Sequence, residues 1–318
     1  VNLVAFPSYL EALNNGKLRE IIKSLEAHLE SCQLCPKECK VNRYHSVGIC
    51  GQGSTAKISA SVLHYGEEPP LVGDGGAGAV FFSGCSMKCV YCQNFGFSQL
   101  NRGNEIDAKE LGKIFLKIQN QGGETLDLVT PTPHLPSILK ALEYAAERGF
   151  SLPIVYNTSG YEKVETLKLL EGIVDIYLAD IRYTSDIMGK KYSGVPDYWT
   201  VTKRAIKEMY RQVGPFKSER DFLKGLIIRH LVLPEKISGT EEMLDFLAFE
   251  LSLSVPISLM SQYKPVYKAF EYPELARRIT SQEYNRVLEL LEHYGFEGWM
   301  QYFDKNEEFR VKPLLEES

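Results

Sequence analysis

Three cysteines, Cys85, Cys89 and Cys92, stand at C-x3-C-x2-C spacing in the stretch Phe81-Phe82-Ser83-Gly84-Cys85-Ser86-Met87-Lys88-Cys89-Val90-Tyr91-Cys92-Gln93-Asn94. Thiolates this close, in a loop straight after an apolar strand, can hold three corners of a four-iron cluster. Such clusters usually take four thiolates. Three leave one iron without a protein ligand and free to bind something else. Zinc is the alternative, but a closed structural zinc site needs a fourth nearby ligand, and this stretch supplies none.

The remaining cysteines, Cys32, Cys35, Cys39 and Cys50, read C-x2-C-x3-C-x10-C. Four thiolates at short spacing make a complete metal site. Zinc would staple a segment too small for a core of its own. A second iron–sulfur cluster could instead feed electrons inward or contact substrate. The spacing leaves zinc and iron–sulfur both open. Lys40, Arg43 and His45 read as solvated or supporting groups rather than ligands. An odd count of seven fits three plus four ligands better than a disulfide framework.

These residues must be positioned by the elements around them. Leu18, Ile21, Ile22, Leu25 and Leu29 recur at helical spacing within a helical stretch from Ser8 to Glu30, broken at Asn14-Asn15-Gly16. Residues 57–65 read as a short strand or hairpin. Apolar strands are expected at Ala79–Ser83, Leu126–Thr130, Pro153–Tyr156, Val174–Ala179, Leu226–Leu233 and Pro256–Met260. Helices are expected between them at Asp107–Gln121, Leu135–Arg148, Glu162–Leu170, Asp197–Arg211 and Glu241–Leu251, and after them at Ser281–Tyr294. The alternation implies an α/β fold of parallel βα units. Six units are too few to close an eightfold barrel. They fit an open, TIM-like partial (β/α)6 barrel, with a doubly wound sheet as the alternative. The expected organisation is a helical, cysteine-rich metal-binding extension over 1–72, the barrel over 73–300 and a tail over 301–318.

In either architecture functional residues follow strands. Cys85 to Cys92 pass that test. Gly73-Asp74-Gly75-Gly76-Ala77-Gly78 matches G-x-G-x-x-G but precedes a strand instead of opening a helix, so it reads as a loop entering the barrel.

The 318 residues carry 36 Lys plus Arg against 41 Asp plus Glu, a formal net charge of -5. A nucleic-acid binder would normally be basic, so none is expected as a partner. At 44% hydrophobic content the chain is too apolar for disorder. No apolar run reaches the ~20 residues of a membrane helix. The opening Val1-Asn2-Leu3-Val4-Ala5-Phe6-Pro7 does not read as a signal peptide, so the expected location is cytoplasmic.

At Cys85–Cys92 the chain resembles the radical S-adenosylmethionine (radical SAM) superfamily, in the cysteine spacing, in an aromatic, Tyr91, before the last cysteine, and in the six βα units. Gly84 to Asn94, Gly66-Glu67-Glu68-Pro69-Pro70 and Asn157-Thr158-Ser159-Gly160-Tyr161 are similar to pyruvate formate-lyase activating enzymes and their relatives. The resemblance implies a [4Fe–4S] cluster on Cys85, Cys89 and Cys92, with SAM chelating the open iron. It implies reductive cleavage of SAM to methionine and a 5′-deoxyadenosyl radical that abstracts hydrogen. The substrate would be a glycine backbone on a partner protein, as in activation of a glycyl-radical enzyme, or a small molecule or peptide. A flavodoxin- or ferredoxin-like protein would donate the electron. The rival is a non-catalytic metal-binding or electron-transfer iron–sulfur protein on a degenerate barrel.

The family grips the SAM amino group with Gly-Gly-Glu after its second strand. Gly122-Gly123-Glu124 precede that strand here and read as a helix-ending turn. Thr130 and Thr132, in Thr130-Pro131-Thr132-Pro133-His134, occupy the correct end. Tyr91 and Asn94 flank the cluster motif as further SAM contacts. Asn157 and Ser159 either bind the SAM carboxylate or ribose or serve as turn residues. Asp180, with Arg182, either binds ribose or substrate or forms an internal ion pair. A charge inside a strand is costly unless paired; Arg229 is expected to point inward toward the SAM carboxylate. Alternation then puts His230 beneath a helix.

Overall fold

The computed structural model describes residues 7–219, 222–303 and 311–313. The opening segment through Phe6 and most of the expected tail lie outside them. The N-terminal apolar stripe forms α1 (Tyr9–Asn14) and α2 (Lys17–Ala27), broken where Gly16 takes φ +81. Leu18, Ile21, Ile22 and Leu25 of α2 are buried, as their spacing requires. Then come β1 (Ala56–His64), α3 (Pro69–Val72), β2 (Ala77–Phe82), α4 (Phe95–Ser98) and β3 (Asn104–Ile106).

From there strands and helices alternate. They are α5 (Ala108–Asn120), β4 (Thr125–Val129), α6 (Leu135–Ala146), β5 (Ile154–Thr158), α7 (Val164–Leu169), β6 (Ile176–Asp180), α8 (Asp186–Ser193) and α9 (Tyr198–Val213). The short β7 (Lys217–Glu219) leads into β8 (Phe222–Leu231), followed by α10 (Thr240–Glu250), β9 (Ile257–Met260), α11 (Ser281–Tyr294), β10 (Gly298–Gln301) and β11 (Val311–Pro313). Asp107 caps α5 by accepting from the Glu110 N–H, and Thr280 with Glu283 forms a capping box on α11.

The sheet runs β11-β10-β9-β8-β6-β5-β4-β2-β1-β3, with β7 paired to β8. Each neighbouring pair from β2 to β10 is parallel. All the expected parallel strands are present, and β10 adds a seventh after α11. The sheet is open, ending at β3 and β11. Hydrogen bonding crosses both expected domain boundaries, because β1 pairs antiparallel with β2 and β10 with β11.

Alternation along the strands separates two apolar layers. The outer layer packs Val80, Phe82, Leu126 and Leu128 against Phe115, Ile118 and Ile138 of the helices. The inner layer is smaller: Val155, Ile176, Leu178 and Ile227 close on Leu71 of α3. Thus α3 plugs the barrel at the amino ends of the strands, and Thr125 Oγ1 donates to the Leu71 carbonyl at 3.0 Å. Among the described residues no helix is long and apolar enough to cross a membrane.

Candidate active site

The cysteine loop leaves β2 at Gly84, which takes φ +79. The Gly84 N–H donates to the Phe97 carbonyl at 2.9 Å. Farther on, Lys88 and Val90 N–H groups donate to the Ser193 and Tyr192 carbonyls, both at 2.9 Å. This pins the loop to the end of α8. Ser193 Oγ donates to Cys89 Sγ at 3.0 Å, Cys92 Sγ lies 3.1 Å from Ser98 Oγ, and the Met87 N–H donates to Cys85 Sγ at 3.4 Å. Burial, reinforced by Cys89 and Cys92, pushes the Cys85 thiol up to about 12. Burial also raises Cys89, against the pull of the Arg182 guanidinium. Bare, Cys85 and Cys89 are thiols. A bound metal supplies the positive charge that makes three adjacent thiolates favourable, so the donor set fits an iron–sulfur cluster. Among the described residues no three His, Cys, Asp or Glu side chains close on a point as around a single metal ion.

Tyr91 is buried, with its ring edge-on to Tyr183 and Tyr263 at 6.3 and 5.8 Å. It serves as packing beneath the loop. Asn94 is exposed, and its carbonyl accepts from the Phe97 and Ser98 N–H groups at the start of α4.

Above the inner apolar layer lies a charged one. Arg229 of β8 points inward as expected, but its partners are protein groups. Its Nε donates to Asp180 at 2.9 Å, one terminal nitrogen to Asn157 Oδ1 at 2.6 Å and the other to Glu67 at 3.3 Å. Asp180 also accepts from Arg182 at 2.6 Å. Asn157 Nδ2 donates to Asp127 at 3.2 Å. Asn157, Asp180 and Arg229 therefore come together, bound to one another as an internal ion-pair network. His230 faces the other way, between the Ile181 carbonyl and Thr240 Oγ1, both at 2.9 Å.

Thr132 departs from its expected role. Its hydroxyl turns to the helix side of the sheet, 2.9 Å from Tyr156 Oη, and donates to Glu162 at 2.6 Å. Thr158 donates to the same Glu162 oxygen at 2.5 Å. Thr130 does sit at the carboxyl end of β4, at φ +61, an uncommon conformation for a β-branched residue. Ser159 is half-buried, and its carbonyl accepts from Tyr198 Oη at 2.9 Å. Gly122 and Gly123 end α5 with hydrogen bonds back to Gln119 and Ile118, while Glu124 accepts from the Gly75 N–H at 3.2 Å. Both glycine motifs thus lie at the amino end of the sheet.

The sequence reading passed over Asp127 and found no role for Glu67 and Glu68. The signal for Asp127 was present: a carboxylate inside Leu126-Asp127-Leu128-Val129 calls for a partner by the argument applied to Arg229.

The first cysteine group gathers beside this loop. A Cβ on Gly48 would lie 3.3 Å from Cys50 Sγ and 3.4 Å from Cys39 Sγ. Cys32 is raised by burial, with Arg43 and Cys39 as charged neighbours. Cys35 is pushed up to about 12 by burial, then by Cys50, Glu162 and Cys32. Arg43, 2% exposed, donates to the Pro133 carbonyl at 2.7 Å and to the Gly53 carbonyl. A buried guanidinium held by carbonyls calls for nearby negative charge, which thiolates at Cys32 and its neighbours would provide. All seven cysteines are free.

Residues 79–247 match the family model described as the radical SAM superfamily. The chain belongs to that superfamily, which implies a [4Fe–4S] cluster and SAM. An uncharacterized protein of Methanocaldococcus jannaschii is 35% identical over 291 residues, 87% of this chain and 78% of that protein. The pyruvate formate-lyase-activating enzyme of Clostridium pasteurianum is 29% identical over 147 residues, 43% of this chain and 60% of that enzyme. Among solved structures, native anSMEcpe with bound AdoMet and a Cp18Cys peptide aligns with a TM-score of 0.47 at 12% identity, over 67% of this chain and 56% of that one.

Proposed function

We propose that the chain is a radical SAM enzyme whose cluster is held by Cys85, Cys89 and Cys92. The observation that carries this is a trio of cysteines in one loop after β2, Cys89 buried and Cys85 and Cys92 half-buried, with Ser193 and Ser98 hydroxyls at two of the sulfurs. When bound, the cluster and SAM supply reductive cleavage of the sulfonium to methionine and a 5′-deoxyadenosyl radical that abstracts hydrogen. The protein's own groups orient and enclose. Ser193 and Ser98 hydroxyls hold the sulfurs of Cys89 and Cys92, and the Arg182 guanidinium favours the charged forms of Cys85 and Cys89. Thr130 stands where the ammonium of SAM would be met, by its hydroxyl or carbonyl. Asn157, Asp180 and Arg229 would border the space that ribose and carboxylate fill, with Ser159 and Asn94 around its edge and Tyr91 packed beneath the loop.

Cys32, Cys35, Cys39 and Cys50 would hold a second metal, zinc or iron–sulfur. The substrate reading that the named relative supports is a backbone glycine of a partner protein, with a small molecule as the alternative. A flavodoxin- or ferredoxin-like donor would supply the electron.

The test is anaerobic reconstitution with iron and sulfide, then dithionite and SAM, with 5′-deoxyadenosine as the readout. Replacing Cys89 by Ala abolishes the product; Glu124→Gln, at the far end of the sheet, leaves it nearly unchanged. A fully loaded wild-type protein that forms no 5′-deoxyadenosine would instead be the non-catalytic iron–sulfur protein.

A further inference from the structure

Two of the three sulfurs in the cluster loop are met by a serine hydroxyl, and each serine is backed by a further polar side chain. Ser193, the last residue of α8, donates to Cys89 Sγ at 3.0 Å. Tyr183 Oη stands 2.9 Å from that same Ser193 oxygen. Ser98, the last residue of α4, lies 3.1 Å from Cys92 Sγ. Gln99 Nε2 donates to Ser98 Oγ at 3.2 Å. An amide nitrogen only donates, so the Ser98 oxygen accepts from Gln99 and keeps its own proton free for the sulfur. Cys85 differs: among the described residues its sulfur accepts from the Met87 N–H at 3.4 Å and from no hydroxyl.

These serines are shut away from water, as are Tyr183 and Cys89. A hydrogen bond in such surroundings acts more strongly than in water, and a second donor behind it strengthens it further. A bare thiol can give or accept a hydrogen bond, but a metal-bound thiolate carries no proton and only accepts. With a cluster in place both serines are therefore donors to negative sulfur. Their effect then differs between the two oxidation states of the cluster. One added electron makes the sulfurs more negative, so each hydrogen bond tightens and the reduced state is favoured.

We propose that the Tyr183–Ser193 and Gln99–Ser98 pairs are positioning groups that raise the reduction potential of the cluster above that of the same cysteine loop without them. This rests on the radical SAM reading for the presence of the cluster, but the potential is a property that can be read without SAM. The step concerned is the passage of one electron from a low-potential donor protein to the oxidised cluster. No bond of the protein forms or breaks in it, and the serine protons stay on their oxygens. The serines thereby bring the cluster within reach of a donor that could not reduce it otherwise.

The experiment reconstitutes each protein anaerobically with iron and sulfide, poises it with dithionite at a series of potentials, and reads the reduced cluster by electron paramagnetic resonance. A midpoint does not depend on how many chains carry a cluster, so partial loading leaves it unchanged. At the wild-type midpoint, Ser193→Ala and Ser98→Ala should each show a reduced-to-oxidised ratio lower by about fivefold, the size expected of one net hydrogen bond. Tyr183→Phe and Gln99→Ala, which leave both serines in place, should shift the same way by less. Ser83→Ala is the control for a loosened loop: it removes a buried hydroxyl that donates to the Arg102 carbonyl at 2.7 Å, and should keep the wild-type midpoint. Wild-type midpoints in both serine variants overturn the proposal, as does an equal shift in Ser83→Ala. If Ser193→Ala holds no cluster, Ser98→Ala and Tyr183→Phe decide by the same criterion. Unshifted midpoints in variants that still form 5′-deoxyadenosine strike this inference and leave the radical reading standing. Shifted midpoints in a protein that cleaves no SAM do the reverse, and a wild-type chain that binds no cluster overturns both.

Discussion

Gly84 is where the two cysteine groups meet. A Cβ there would lie 2.6 Å from the Cys50 carbonyl and 2.5 Å from Gln52 Nε2, at a φ of +79. Neither the clash with backbone nor the left-handed conformation suits any other residue. Gly84→Ala should therefore destabilise the chain by about 1–3 kcal/mol and loosen the start of the cluster loop. Urea midpoints and bound iron per chain after reconstitution measure this. Wild-type stability together with full iron loading would show that the contact does not matter. At this scale the sequence was informative about sulfur, because thiol spacing is itself a chemical signature. It was less informative about oxygen: the Thr132 hydroxyl, in the turn after β4, faces the helices because Glu162 draws it there, a partner 30 residues away in the chain but adjacent in space.

His230 shows what an element can impose on a residue. Alternation along β8 sends Arg229 into the barrel and His230 under α10, where burial pushes its pKa down to about 4. The unfolded chain takes up this proton near pH 6.5 and the folded one only near 4. Stability is thus whole above pH 6.5 and falls as pH drops toward 4, by about 3 kcal/mol from this residue. His134, stacked on Phe82 and pushed down to about 3 by burial, adds loss of the same sign. Urea midpoints followed from pH 8 to pH 4 should fall less steeply in His230→Gln than in the wild type; parallel profiles would contradict this account. The strands and helices themselves were legible because long apolar runs and 3.6-residue periodicity need no tertiary context. The strand β10, Gly298-Trp299-Met300-Gln301, was not, since four residues with a glycine and a glutamine carry no strand pattern. It forms because β9 offers a free parallel edge. The four-residue α3 was equally silent, though its Leu71 closes the inner core.

The whole molecule brings the two cysteine groups side by side. Lys37, between Cys35 and Cys39, donates to the Gly194 carbonyl next to Ser193, which in turn holds Cys89. Anaerobically purified protein should carry about four irons with matching sulfide plus one zinc, or about eight irons with matching sulfide. Metal and acid-labile sulfide analysis decides which, and a chain devoid of sulfide after reconstitution would refute the cluster. In Cys35→Ser the second metal alone should fall. The sequence by itself determined the cysteine chemistry, the βα alternation and the family, because thiol spacing and hydrophobic period are local properties of the chain. Only the tertiary structure decided that Arg229 answers to Asp180, Asn157 and Glu67, and that Asn157 ties Asp127 to the same network. Those groups lie on separate strands and just before the plug, and only the packing of the open sheet around Leu71 brings them within reach of one another.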